Sequence, residues 1–388
     1  MTYRHLSVAL PMMGELDNLQ PMLSRLRGQS FKSFSLYVCV NQAEGDATYL
    51  QDNLLSLRML REVTDMDVHI IDRCSPGCGW QGKQRGVGWA RKLLFDAIAE
   101  KGPMEEVIVS LDADTSFDET YLESVLCAFN QHLQWDALAV PYYHPLSHNN
   151  LQDRAMLRYE CYMHYYLINL LLIDNPYAFS ALGSAMAFPV WAYQRVGGIT
   201  PLQGGEDFYL MQKFAKTGMV GLHLPCCVYP QGRPSTRVPF GTGPAIAKGV
   251  DSMDNSYPFY PEEAFLRVSQ TFAAMPALYE REEETTMSPF LRQQLKTEEL
   301  WAPIRKNFKS VEHFVHACQE KVDGLRILQY LKTQPRHSDS VLHLIEFCKH
   351  HSINLNDGFS FSTTPVEQLN QLRDVLFQRE MNLRKQKQ

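Results

Sequence analysis

The chain has 388 residues, 45% of them hydrophobic and 21% charged, with a formal net charge of −6, which is enough chain for about two domains with sizeable cores. This ordinary, slightly acidic balance excludes a basic surface for nucleic-acid backbones. The nine cysteines are scattered apart from Cys74/Cys78 and Cys226/Cys227, so they form neither a disulfide framework nor a four-ligand zinc pattern, and reduced cytosolic thiols fit best.

The first strand is expected at Leu6–Leu10, and because Arg4 and His5 lead directly into it, no leader for export is expected. A helix over Asp17–Gln29 follows, with Asp17 and Gln20 as a capping box, Pro21 in the tolerant first turn, and Leu19, Leu23 and Leu26 as its apolar stripe. Strand and helix signals then alternate: Ser35–Val40, Asp46–Leu60, Val68–Ile71, Gly86–Lys101 and Val107–Leu111. Alternation of this kind predicts parallel βαβ units. A helix carrying Tyr121–Phe129 and a short strand at Ala137–Val140 continue the pattern.

The longest apolar region, Tyr162–Tyr193, is interrupted by His164, Asn169, Asp174, Asn175, Pro176 and Pro189 before about 18 to 20 clean residues accumulate, so no bilayer span is expected. It reads as a core helix over Tyr159–Ile173 followed by a loop and a strand, and the alternative is an aromatic face that touches a membrane or a lipid acceptor. Gln231–Ser256 is rich in Gly, Pro, Ser and Asn and carries Arg233, Arg237 and Lys248; irregular segments of this length are usually functional or disordered. From about Pro258 helices dominate: Leu291–Trp301, Val311–Gln319, Asp323–Lys332, Val341–His350 and Val366–Arg384, ahead of a short basic tail. The expected division is therefore an α/β domain over 1–250 and a helical region over 258–388.

The chemistry centres on Val107–Thr115, where an apolar, β-branched run ends in Asp112-Ala113-Asp114. Open α/β sheets bind ligands outside the carboxyl ends of their strands. Two hard carboxylates there can hold Mg²⁺ or Mn²⁺ while leaving coordination positions for substrate phosphates. The plain alternative is that the two aspartates cap the helix that starts near Asp118.

Several motifs in order resemble the family 2 glycosyltransferases of the GT-A fold over roughly residues 5 to 245. Val8-Ala-Leu-Pro11-Met-Met-Gly-Glu15, then Asn18-Leu19 and Gln29-Ser-Phe31, look like that family's first strand, its Pro-x-x-x-Glu turn and its Gln-x-aromatic run. Ser35–Asn41 is similar to the strand whose last polar residue holds the nucleotide base, with Asn41 where many members have Asp. Gly86–Lys92 resembles the Gly-x-x-x-Ala-Arg-Asn helix start and includes Arg91; Gly197-Gly198-Ile199 and Gly205-Glu206-Asp207 look like the Gly-Gly and Glu-Asp motifs that precede the acceptor-activating base. The resemblance implies a Rossmann-like mixed sheet flanked by helices, a nucleotide-diphosphate sugar donor such as a UDP- or GDP-sugar, a divalent metal, and inversion at the anomeric carbon.

On that reading Asp114 holds the metal, Asp112 lies nearer the ribose or a metal-bound water, and Asp207, beside Glu206, is the general base. An acidic first turn favoured by the helix dipole is the alternative for Glu206-Asp207. Pro11, Glu15, Asn41, Lys83 and Arg91 are candidates for the donor site, as are Arg233 and Arg237 on a loop that closes over phosphate, while His223 is a candidate third metal ligand. Lys83 and Arg233 also have a plain reading as solvated loop charges, and His223 as a strand residue. The acceptor is a hydroxyl of a glycan, a lipid-linked molecule or a small molecule. The implied location is cytoplasmic, either free or at the inner face of a membrane. Two other classes compete: a sugar-phosphate nucleotidyltransferase, and a nucleotide-sugar-binding module without turnover.

Overall fold

The computed structural model describes residues 2–235, 241–253, 256–334 and 341–387. They fall into two compact units, one of Met1–Met156, Phe179–Val250 and Arg384–Gln388, the other of Leu157–Ala178 and Asp251–Leu383. The division is more interleaved than the single boundary expected from composition, because Leu157–Ala178 belongs with the helical part and Arg384–Gln388 with the sheet.

In chain order the first unit contains β1 (Leu6–Met12), α1 (Leu16–Arg27), β2 (Phe34–Asn41), α2 (Leu50–Arg61), β3 (Asp67–Arg73), α3 (Val87–Lys101), β4 (Val107–Ser110), β5 (Ser116–Phe117), α4 (Tyr121–Gln131) and β6 (Trp135–Ala139). The start of α5 (Asn150–Leu172) follows, then β7 (Met186–Pro189), α6 (Val190–Arg195), α7 (Glu206–Thr217), β8 (Met219–Gly221), β9 (Val228–Tyr229) and α8 (Thr242–Asp251). Seven strands form one sheet in the order β3-β2-β1-β4-β7-β6-β8. The run from β3 to β4 is parallel, as alternation predicts. β7 enters antiparallel to both β4 and β6, which makes the sheet mixed. β1, β2 and β4 are buried along their whole length, as strands covered on both faces must be. Pro11 is tolerated in central β1 because the pairing with β4 ends at Ala9↔Ser110, before an N–H at position 11 would be needed on that side.

The starts of two helices differ from expectation. α1 begins at Leu16, so Pro21 lies inside it, and no side chain caps it; the Leu16 N–H is met by Asp52 at 3.2 Å, a long-range partner that replaces the capping box. α4 is started by Gln29, whose Nε2 donates to the Asp118 carbonyl at 2.9 Å while its Oε1 accepts from the Leu122 N–H at 2.9 Å. Arg384 is buried, and its Nη1 donates to the carbonyls of Ala139 at 3.0 Å and Leu222 at 2.8 Å. This residue is part of the sheet unit rather than of a solvated basic tail.

The second unit holds the rest of α5 with α9 (Glu262–Ala274), α10 (Ser288–Leu295), α11 (Ala302–Asn307), α12 (Val311–Lys321), α13 (Gly324–Thr333), α14 (Val341–His350) and α15 (Val366–Gln386). The single helix expected over Leu291–Trp301 stops at Lys296, which takes φ 52°, and a new helix starts at Ala302 with Pro303 in its first turn. Tyr165, Phe259, Phe265, Phe347 and Phe361 make an aromatic core. Of the polar residues that interrupt the apolar stretch, the two within α5 are buried and paired: His164 Nδ1 lies 2.7 Å from Glu380, and Asn169 donates to the Tyr165 carbonyl at 2.9 Å; Glu160, one turn before His164, accepts from Arg373 at 2.8 Å. Among the described residues no helix is long and apolar enough to cross a membrane.

Candidate active site

β4 delivers Asp112 and Asp114 to the carboxyl end of the parallel strands. Leu111 keeps the last ladder bond to Ala9 at 3.1 Å, and the Thr115 N–H closes a turn on the Asp112 carbonyl at 3.0 Å. Ala113 and Thr115 point inward and are buried, so the alternation of the turn leaves the two carboxylates on the other side. Neither aspartate caps α4: the N-cap position is Thr120, without a side-chain cap bond, and Gln29 takes the Leu122 N–H.

A buried guanidinium on α3 gathers the acidic groups. Arg91 is 3% exposed; its Nη2 donates to Asp112 Oδ1 at 2.6 Å and its Nη1 to Glu206 Oε1. Burial opposes the Arg91 charge, but Asp112, Glu206 and Asp207 outweigh it and raise its pKa. Space for the fork exists because residue 183 lacks a side chain: a Cβ on Gly183 would lie 2.0 Å from Arg91 Nη2. At the other end of the bridge, Gly205 adopts φ 77° and turns the chain into α7, a conformation that only Gly takes at little cost. Glu206 and Asp207 then form the first turn of α7. Asp207 Oδ1 accepts its neighbour's N–H, from Phe208, at 2.7 Å. Burial first, and then the charge of Glu206, push the Asp207 carboxyl up to about 7, with Arg91 pulling the other way.

The second aspartate belongs to a neighbouring cluster. Arg233 Nη2 reaches Asp114 at 3.1 Å and also Glu15, whose other oxygen accepts from Asn18 at 2.6 Å. Glu15 and Arg233, read from motifs more than two hundred residues apart, are therefore brought together. Arg237 lies outside the described residues.

Asn41 ends β2 and is buried, and its amide is engaged within the protein: Nδ2 donates to the Met12 carbonyl at 2.9 Å, and Oδ1 accepts from Trp80 Nε1 at 3.0 Å. Asn41 thus ties β1 to Trp80, and Arg73 stands over the Trp80 ring at 5.2 Å. Trp80 was not singled out from sequence; an indole that follows a Gly-Cys-Gly turn just past β3 is the signal that marks it. Pro11 is buried within β1, and Lys83 lies on an exposed loop before α3. His223 lies between β8 and β9, where burial and then the charges of Lys385 and Arg384 lower its pKa. The structure does not bring His223 into a cluster with Asp112 and Asp114: among the described residues no group of three or more His, Cys, Asp or Glu is arranged to hold a metal. The chemistry of Asp112 and Asp114 still suits Mg²⁺ or Mn²⁺, since such ions are commonly held by one or two carboxylates with substrate phosphates and water completing the shell.

No family model matches the sequence, and no curated protein matches it. Among solved structures, the chain is similar to S. aureus TarS residues 1–349 in complex with UDP-GlcNAc, at 10% identity and a TM-score of 0.44, over 93% of this chain and 98% of that one. It is also similar to the mannosyltransferase PcManGT from Pyrobaculum calidifontis in complex with GDP-Man and Mn²⁺, at 11% identity and a TM-score of 0.39, over 98% of this chain and 86% of that one.

Proposed function

We propose that the sheet unit is a glycosyltransferase of the GT-A type that moves a sugar from a UDP- or GDP-linked donor to a hydroxyl acceptor with inversion. One observation carries this reading. Arg91 bridges a strand-end carboxylate suited to a nucleotide-sugar's metal, Asp112, to Glu206, the neighbour in the first turn of α7 of a carboxyl suited to a general base, Asp207.

In the proposed reaction the acceptor oxygen bonds to the anomeric carbon as the bond from that carbon to the diphosphate oxygen breaks, and the hydroxyl proton passes to Asp207. A carboxyl held near 7 takes a proton at neutral pH more readily than an ordinary aspartate. Asp112 and Asp114 would hold Mg²⁺ or Mn²⁺, which when bound supplies charge neutralisation to the departing diphosphate. Arg233 and Lys83 are the chain's own cations for phosphate oxygens, Arg233 with a planar fork and Lys83 as a point charge. Asn41 serves the nucleotide through Trp80, which it orients. The acceptor hydroxyl belongs to a glycan, a lipid-linked molecule or a small molecule.

The test is a panel of UDP- and GDP-sugars assayed for hydrolysis and transfer with Mg²⁺, with Mn²⁺ and with chelator, in wild type, Asp114→Ala and Asp207→Asn. We expect turnover of at least one donor, lost with chelator and weakened in Asp114→Ala through poorer nucleotide binding. Absence of both binding and turnover across the panel overturns the proposal.

A further inference from the structure

Two acidic turns in the sheet unit are joined by one side chain. Arg91 rises from α3 between the turn after β4 and the first turn of α7, and each terminal nitrogen of its fork is given to a different carboxylate, Asp112 on one side and Glu206 on the other. Its Nε makes no hydrogen bond among the described residues, so the two terminal nitrogens carry the interaction. The backbone at Gly183 lies so close to the guanidinium that a single added carbon would occupy its place. A lysine could not reproduce this, because an ammonium on a flexible stem is a point charge without a fork.

We propose that Arg91 is a positioning residue that ties the donor-side carboxylate Asp112 to Glu206 on the acceptor side, next to Asp207, and so fixes the separation of donor and base. This inference rests on the glycosyl-transfer reading for the words donor and base. Three carboxylates, Asp112, Glu206 and Asp207, share the charge of Arg91, and two of them are adjacent on one helix turn. Like charges this close push one partner to hold a proton, and a nearby cation opposes that. Besides fastening two elements, Arg91 opposes the upward push of burial and Glu206 on the Asp207 carboxyl, so its charge is felt at the proposed base.

The experiment follows the Asp207 carboxyl directly in the full chain, by carbon-13 NMR of aspartate-labelled protein over a pH titration, with Asp207→Asn to identify the signal. In Arg91→Met the midpoint should rise by about one to three units, the range for losing an adjacent opposite charge. In Arg91→Lys, which keeps the charge and is the safer variant for folding, it should rise less, while transfer falls by about tenfold or more because the fork is gone. Midpoints unchanged from wild type in both variants overturn the proposal. The same samples are offered UDP- and GDP-sugars. A shifted midpoint without turnover of any donor upholds the tie and removes the transferase reading; turnover with an unshifted midpoint does the reverse.

Discussion

Asp207 is held at a point where pH decides its charge. With its carboxyl near 7, the base of the proposed reaction is protonated in mildly acidic solution, so on that proposal transfer should decline about tenfold per unit as pH falls below about 7, read from the acid limb of a rate profile. Replacing it by Asn should leave nucleotide binding unchanged and reduce kcat by about 10²-fold or more. The same shift has a stability consequence of opposite sense. A carboxyl whose pKa is raised by folding favours the native state below its ordinary value and loses that advantage as pH rises through about 7. Asp207→Asn should therefore gain stability relative to wild type across that window, measurable by thermal melting at a series of pH values. Gly183→Ala should destabilise the protein by about 1 to 3 kcal/mol, the usual scale for overpacking, and should lower transfer by displacing Arg91. The residue types were legible in the sequence because Asp112, Asp114, Glu206 and Asp207 sit in short local motifs. Their partners were not: that Arg91 spans 115 positions to Glu206, or that Asn41 is spent on Met12 and Trp80, depends on packing that no local spacing encodes.

Among the elements, the strands up to β4 were readable because buried β-branched runs have few other uses, whereas the direction of β7 was not, since Met-Ala-Phe-Pro reads alike in either sense. The starts of α1 and α4 were obscured for a common reason: each is met by a side chain from elsewhere, Asp52 for one and Gln29 for the other. Gln29 resembled a family signature, and its physical role is to satisfy both the Asp118 carbonyl and the Leu122 N–H. The Asp118 carbonyl keeps its bond from the Tyr121 N–H, so Gln29→Ala should cost about 1 to 3 kcal/mol chiefly by removing the partner of the Leu122 N–H, read as a lower denaturant midpoint with little change in slope.

At the scale of the whole molecule, the two units differ in how they hold charge. In the helical unit, the Glu160–Arg373 pair is fully buried, and such pairs are strongly destabilising when broken one-sidedly. Arg373→Met should cost about 3 to 5 kcal/mol by removing the guanidinium that offsets the buried Glu160 charge, and Glu160→Leu added to it should recover part of that loss, read from unfolding curves of the single and double variants. The helical character of this region was plain from periodicity, but its limits were not, because the chain passes between units more than once.

Arg384 gives that interleaving a consequence during synthesis. The carbonyls of Ala139 and Leu222 receive their hydrogen bonds from a residue made 245 and 162 positions later, so a nascent sheet must wait for translation of the entire helical region before it is finished. Expression of a fragment stopped at 250, the boundary that composition suggests, would release that sheet with one of its fastenings never synthesised.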